Sequence, residues 1–160
     1  MNAAKPRCLD IHAHHVGQPL VESINADGEK HGVKIVKGED GATRISVGGR
    51  LTGMPLIPPL NDEAARLKWM DEAGIDVQLL AGWMDLAGYH LPTEAGQWLA
   101  RAQNETLAEM AARRPDRYAA AAAVPLQDAA VAADELRYAV QKLGHRAVQI
   151  GARVEEEGLD

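Results

Sequence analysis

The stretch RLKWMDEAGIDVQLLAGW, residues 66–83, runs from an amphipathic helix into a strand across a single glycine. Upstream of it Asn61 or Asp62 supplies an N-cap, and Ala64, Leu67, Met70 and Ala73 recur at three-residue spacing as far as Gly74, which can adopt the left-handed conformation that stops a helix. The apolar run Ile75 to Ala81 follows at once, so the strand is fed directly by the helix. A helix that hands over to a strand in this way is the second half of a parallel crossover unit.

The same grammar repeats downstream. Thr93 caps a second helix carried by Leu99, Ala102, Leu107, Met110 and Ala111 and stopped by Pro115. Tyr118 to Val124 contains five consecutive alanines, which favour helix, yet Pro115 and Pro125 leave too few residues for a stable one. It reads as a buried strand whose small side chains permit close packing. Asp128 caps a third helix, through Val131, Ala132, Leu136, Val140 and Leu143 to Gly144, and Ala147 to Ile150 makes the last strand.

Upstream, Arg7 to His12 is long enough for one strand. From Gly17 to about Pro59 the texture changes to Gly, Pro, Asp and Lys around two β-branched pieces, Val33 to Val36 and Thr43 to Val47, with Asp40-Gly41 between them as a hairpin signal. That segment reads as an inserted hairpin plus loop, and Pro55 to Leu60 as an extended linker. An open α/β sheet and half of a (β/α)8 barrel share this order of elements. A closed barrel takes roughly 250 residues and eight strands. The 160 residues therefore predict one α/β domain over 1–160, the N-terminal half of a TIM barrel with about four parallel strands and a β insertion and linker at about 17–60.

Composition limits function. The chain is 46% hydrophobic and 25% charged with a net charge of −6, the balance of an ordinary globular protein whose acidic surface repels nucleic acid and anionic membranes. No apolar run approaches the ~20 residues of a membrane helix, and the N-terminus has no signal-peptide core. The single cysteine, Cys8, excludes an internal disulfide and reads as a small buried residue. A cytoplasmic location is expected.

Chemistry concentrates in Asp10-Ile11-His12-Ala13-His14-His15, at the end of the first strand. Period-two alternation points Asp10, His12 and His14 to one side, so two imidazoles converge where barrel enzymes place their catalytic groups. Neutral imidazole suits Zn2+, although catalytic zinc typically takes three protein ligands. His15 faces the other way and reads as structural. In the loop after the second strand, His90 and Trp83 are candidates for lining a substrate pocket, beside Asp85 and Tyr89. His31 and His145 read as solvated, and Trp69 and Trp98 as packing anchors on helices.

The segments LDIHAHH, RLKWMDEAGIDVQLLAGW, NETLAEMAARRPDRYAAAAAVPLQD and ELRYAVQKLGHRAVQIGARV, in this order, resemble the amidohydrolase-related family that includes aminocarboxymuconate-semialdehyde decarboxylase. The resemblance runs almost end to end and is weak over Gly17 to Pro59. It implies a (β/α)8 barrel with a β insertion after strand one, and a metal-dependent decarboxylase acting on a small carboxylate-bearing substrate. A metal-dependent hydrolase of the same superfamily is the alternative. Carried over, His12 and His14 match the first two metal ligands, most commonly zinc, and Arg44, with Arg50 behind it, is the counterpart of a basic residue that contacts the substrate carboxylate.

The family's further metal ligands, after the fifth and eighth strands, and its catalytic histidine, after the sixth, lie beyond the last residue of this sequence. Two histidines and Asp10 fall short of a tight three-ligand site, so weak metal binding and no activity of the chain alone are expected. A half barrel leaves its outer strands unpaired and its inner face open. A homo-oligomer, or association with the missing C-terminal half, would cover them, and a non-catalytic half-barrel that self-associates or binds a partner is the rival reading.

Overall fold

A computed structural model describes residues 8–155, 157 and 158. The central layer is a four-stranded sheet of β1 (Leu9–His14), β5 (Val77–Ala81), β6 (Tyr118–Ala122) and β7 (Ala147–Val148), parallel throughout and in sequence order. The first strand thus sits two residues later than Arg7 to His12, and Arg7 lies outside the described residues.

Between β1 and β5 come α1 (Gln18–Asp27), a 3-10 turn at Gly28–His31, β2 (Val33–Lys37), β3 (Thr43–Val47), β4 (Arg50–Leu51), α2 (Pro58–Asn61) and α3 (Glu63–Ala73). The hairpin of β2 and β3 is antiparallel and closes at Lys37 opposite Thr43, with Gly41 at φ 75° in its turn. The helix α1 replaces the loop expected after Gly17. Its Pro19 stands in the first turn, where no N–H is needed, and Leu20 and Ile24 on one face are buried. Pro58–Asn61 is likewise a helical turn, not extended chain. α3 is capped by Asp62, which accepts from the Ala65 N–H at 3.0 Å, and ends on Gly74 at φ 69°.

Two helices, α4 (Thr93–Arg113) and α5 (Ala129–Gln141), pack on the sheet, and a separate antiparallel hairpin of β8 (Arg153–Val154) and β9 (Glu157–Gly158) follows it. The cap position of α4 is Pro92, so Thr93 is its first residue. Asp128 caps α5 by accepting from the Ala130 and Val131 N–H groups. The alanine run does form a strand, and the last parallel strand stops at Val148, short of Ile150.

Two buried clusters hold these layers. One joins Ala13, Leu80, Tyr118 and Ala120 of the sheet to Met70 of α3 and Leu107 and Met110 of α4. The other ties the insertion to the barrel half through Leu20, Ile24, Val33, Ile45, Leu86 and Leu99. Leu80 is fully buried where sheet and helices meet. Leu80→Ala is expected to cost about 2–5 kcal/mol, read from the urea midpoint at unchanged slope.

Four of the sequence expectations change with the tertiary context. Cys8 is exposed at the start of the outer strand. Trp69 is half exposed, because the open side of β1 leaves its face of α3 uncovered. His145 is buried, its ring nitrogen donating to the Asn104 carbonyl at 3.0 Å. His31 stacks on Trp98 at 4.5 Å. The exposed aliphatics Leu9 and Ile11 on β1, and Val148 and Ile150 at and just beyond β7, mark the two outer edges of the sheet.

Candidate metal centre

The carboxyl end of β1 is fixed by its neighbours. His15 N–H bonds to the Ala81 carbonyl at 3.0 Å and Val16 N–H to the Leu60 carbonyl at 2.7 Å. Register with β5 slips on the way: Asp10 lies opposite Gln78 but Ala13 opposite Leu80, three steps on β1 against two on β5. The bulge interrupts the strict alternation, yet Asp10 still lines the same cleft as His12 and His14. The Asp10 carboxylate accepts from Gln78 Nε2 at 2.8 Å and from the His12 backbone N–H at 3.1 Å. It is turned to Gln78.

His12 and His14 remain together. Their rings meet edge to face with centroids 4.9 Å apart. His14 Nδ1 donates to the Gly82 carbonyl at 2.9 Å, which fixes the tautomer and leaves Nε2 with its lone pair for a ligand. Gly82 is needed there, since a Cβ would run into the Gln103 side chain of α4. Burial lowers the His14 pKa, and the His12 and Arg66 charges push it the same way, so the ring is neutral at neutral pH. The pair lies in a cleft of about 400 Å³ on the open side of β1, with Leu60, Arg66, Trp69 and Gln78 among its walls. Two imidazole nitrogens fit a divalent cation as part of a ligand set, and among the described residues no group of three or more His, Cys, Asp or Glu assembles.

His15 turns away from the pair and is buried, with Nδ1 lacking a hydrogen-bond partner. Burial, aided by the Arg66 and Arg113 charges, pushes its pKa from 6.5 down to about 4. The folded pKa is depressed, so the neutral ring's contribution to stability is complete above about pH 6.5 and drains as pH falls toward 4. Unfolding titrations at about pH 7 and about pH 4.5 are expected to differ by roughly 2–3 kcal/mol from this group, and His15→Leu is expected to remove that part of the slope.

The other candidates go elsewhere. Arg44 is held by Asp40 through two hydrogen bonds of 2.8 and 2.7 Å, a pairing that pulls the Asp40 carboxyl down to about 2. Trp83 is buried in the core cluster of the insertion. Arg50 pairs with Glu155 at 2.9 and 3.1 Å, and His90 Nε2 donates to the Val47 carbonyl at 2.8 Å with Glu155 4.0 Å from its Nδ1. Arg50, His90, Asp85, Tyr89 and Glu155 share a second cleft of about 530 Å³, separate from the histidine pair and without Arg44 or Trp83. Sequence reasoning passed over Gln78 and Arg66. A glutamine inside the apolar run VQLLA was the available signal for the first; nothing marked the second.

The sequence model of the family described as Amidohydrolase matches residues 10–160. The chain is 41% identical over 85 residues to gamma-resorcylate decarboxylase of Rhodococcus jostii, a match covering 53% of this chain and 26% of that protein. It is 26% identical over 99 residues to 2-amino-3-carboxymuconate-6-semialdehyde decarboxylase of Dictyostelium discoideum, covering 62% and 28%. Among solved structures, 2,6-dihydroxybenzoate decarboxylase from Rhizobium superposes with a TM-score of 0.59 at 28% identity over 90% of this chain and 38% of that one. A dihydroxybenzoic acid decarboxylase from Polaromonas with bound manganese shares the fold at a TM-score of 0.60 and 23% identity, over 90% and 38%. The aligned stretch thus spans about a quarter of the curated relatives, and the chain about two fifths of the solved ones.

Proposed function

The chain belongs to the amidohydrolase family, and from that premise we propose that it is the metal-binding half of a decarboxylase barrel acting on a small aromatic carboxylate. The observation that carries this reading is the His12 and His14 pair at the carboxyl end of β1, one ring already oriented by a backbone carbonyl. The substrate class follows from the resorcylate and dihydroxybenzoate decarboxylases among its relatives. Zinc was the expected ion; the manganese in the Polaromonas enzyme leaves the proposal at a divalent cation.

When bound, that cation would supply Lewis-acid polarisation and a fixed positive charge for substrate oxygens. His12 and His14 would hold it from β1, and the Gly82 carbonyl would keep the His14 ring in its metal-ready tautomer. To Arg50 and His90, in the second cleft, the reading assigns the contact with the substrate carboxylate, each after parting from Glu155. Arg44 is engaged with Asp40, and Trp83 contributes packing.

Calorimetric titration tests the reading. The chain is expected to take up Zn2+ or Mn2+, and the loaded chain to bind 2,6-dihydroxybenzoate more tightly than the metal-free chain. Equal affinity in both states would count against it.

A second reading rests on the outer edges. Leu9 and Ile11 are 63% and 76% exposed on β1, the edge strand of the parallel sheet, the kind of surface that recruits another strand. A dimer, or a complex with the barrel's remaining strands, would cover it, and sedimentation of the chain as a monomer would exclude the dimer.

A further inference from the structure

Beneath the histidine pair runs a buried hydrogen-bonded chain that the cation reading does not use. Arg66, 7% exposed, reaches from α3 and donates from Nη2 to the carbonyls of His14, at 2.5 Å, and Pro59, at 2.7 Å. Its Nη1 donates to Gln78 Oε1 at 2.9 Å. Gln78, 1% exposed, passes the contact on from Nε2 to Asp10 Oδ2 at 2.8 Å. The other Asp10 oxygen accepts from the His12 backbone N–H at 3.1 Å. The chain therefore begins on the carbonyl of one histidine and ends on the amide of the other, and it spans the bulge between Asp10 and Ala13.

We propose that Arg66, Gln78 and Asp10 are positioning residues for the metal ligands: a partly buried clamp on the backbone of both His12 and His14 that holds the bulge and so sets the separation of the two rings. A bulge has few ladder bonds of its own and needs outside partners to keep a single geometry. The partners here come from a different strand and a helix, so the separation is fixed by tertiary structure, not by β1 alone. Groups behind the ligands, when removed, typically weaken metal affinity about 10–100-fold.

The proposal rests on the cation reading for its purpose, but its geometry is testable without metal. Asp10 is only partly buried on the outer strand, so its variants perturb little packing. In Asp10→Ala, affinity for Co2+ is expected to fall about 10–100-fold with a shifted visible absorption band, and the cross-relaxation between the His12 and His14 rings in the metal-free protein to disappear. Asp10→Asn keeps an oxygen for the His12 N–H but sets its NH2 against Gln78 Nε2, so it is expected to restore part of the ring contact, with affinity between those of Asp10→Ala and the native chain. A merely structural role would lower the melting temperature of Asp10→Ala and leave absorption band and ring contact in place, which would overturn the proposal. So would an Asp10→Asn variant that regains the ring contact yet binds Co2+ as weakly as Asp10→Ala, which would make the carboxylate itself a ligand. If the native chain takes up no Co2+, the cation reading fails, and the ring contact alone decides the clamp: lost in Asp10→Ala, it stands; retained, it falls.

Discussion

Replacing His12 and His14 together with alanine is expected to weaken Zn2+ and Mn2+ binding by about a hundredfold or more, on the order of 3 kcal/mol, in calorimetric titration. The size of the effect follows from the ligand set. Among the described residues no group of three or more histidine, cysteine or carboxylate side chains assembles there, so once both rings are gone the cleft keeps only the Asp10 carboxylate, already engaged by Gln78 and the His12 N–H. His12 is exposed and His14 half-buried, and the side-chain hydrogen bond of the pair runs from His14 to Gly82. Stability without metal should therefore change by no more than about 1 kcal/mol. Each single variant should fall between the native chain and the double variant. Affinity lost in His90→Ala but kept in the double variant would place the cation in the cleft of Arg50 and Glu155.

A large loss of stability is also expected far from this site, in Glu135→Ala. Glu135 on α5 is fully buried, and its carboxylate accepts from Arg101 Nε at 3.0 Å, from Arg101 Nη2 at 2.7 Å and from Asn104 Nδ2 at 2.9 Å. Asn104 in turn closes the end of β6, accepting from the Ala123 N–H at 2.7 Å and donating to the Ala123 carbonyl at 2.9 Å. Truncation at Glu135 leaves the second Asn104 donor proton and the guanidinium edge without their acceptor in a dry layer between α4, α5 and the sheet. Breaking a buried pair typically costs about 3–5 kcal/mol. Arg101 is one-third exposed and lies 3.5 Å over the Tyr138 ring, so water and the aromatic face recover part of the loss. About 3 kcal/mol is expected in urea denaturation, and Glu135→Gln, which keeps an oxygen for Asn104, should lose less than half of that.

The parallel half of the fold was legible because its punctuation is local. Asp62 and Asp128 cap helices with their own side chains, Gly74 and Gly144 sit at positive φ, and Pro115 and Pro125 bracket the alanine strand. These signals act within a few residues and survive any tertiary arrangement. The helix Gln18–Asp27 was not legible, since Gly17 and Pro19 resemble a loop opening and only Leu20 and Ile24 mark its buried face. The bulge in β1 leaves no trace in composition; Asp10 lines the cleft of the histidine pair with its carboxylate held by Gln78. Cys8, Trp69 and His145 were misplaced for one reason: their exposure is set by which neighbours the sheet edge lacks or the helix layer provides. At the site, spacing and strand position were enough to bring His12 and His14 together. The partners that orient them come from residues 52 to 68 positions away, beyond the reach of any local pattern.

The most direct test of the account is the nitrogen NMR spectrum of the histidine rings as one equivalent of Zn2+ is added to the chain. The account predicts that His14 Nε2 and one ring nitrogen of His12 move to metal-bound positions while His14 Nδ1 keeps its proton to Gly82 and His15, His31, His90 and His145 stay unchanged. A spectrum in which His12 and His14 are untouched, or in which His90 moves instead, would contradict it.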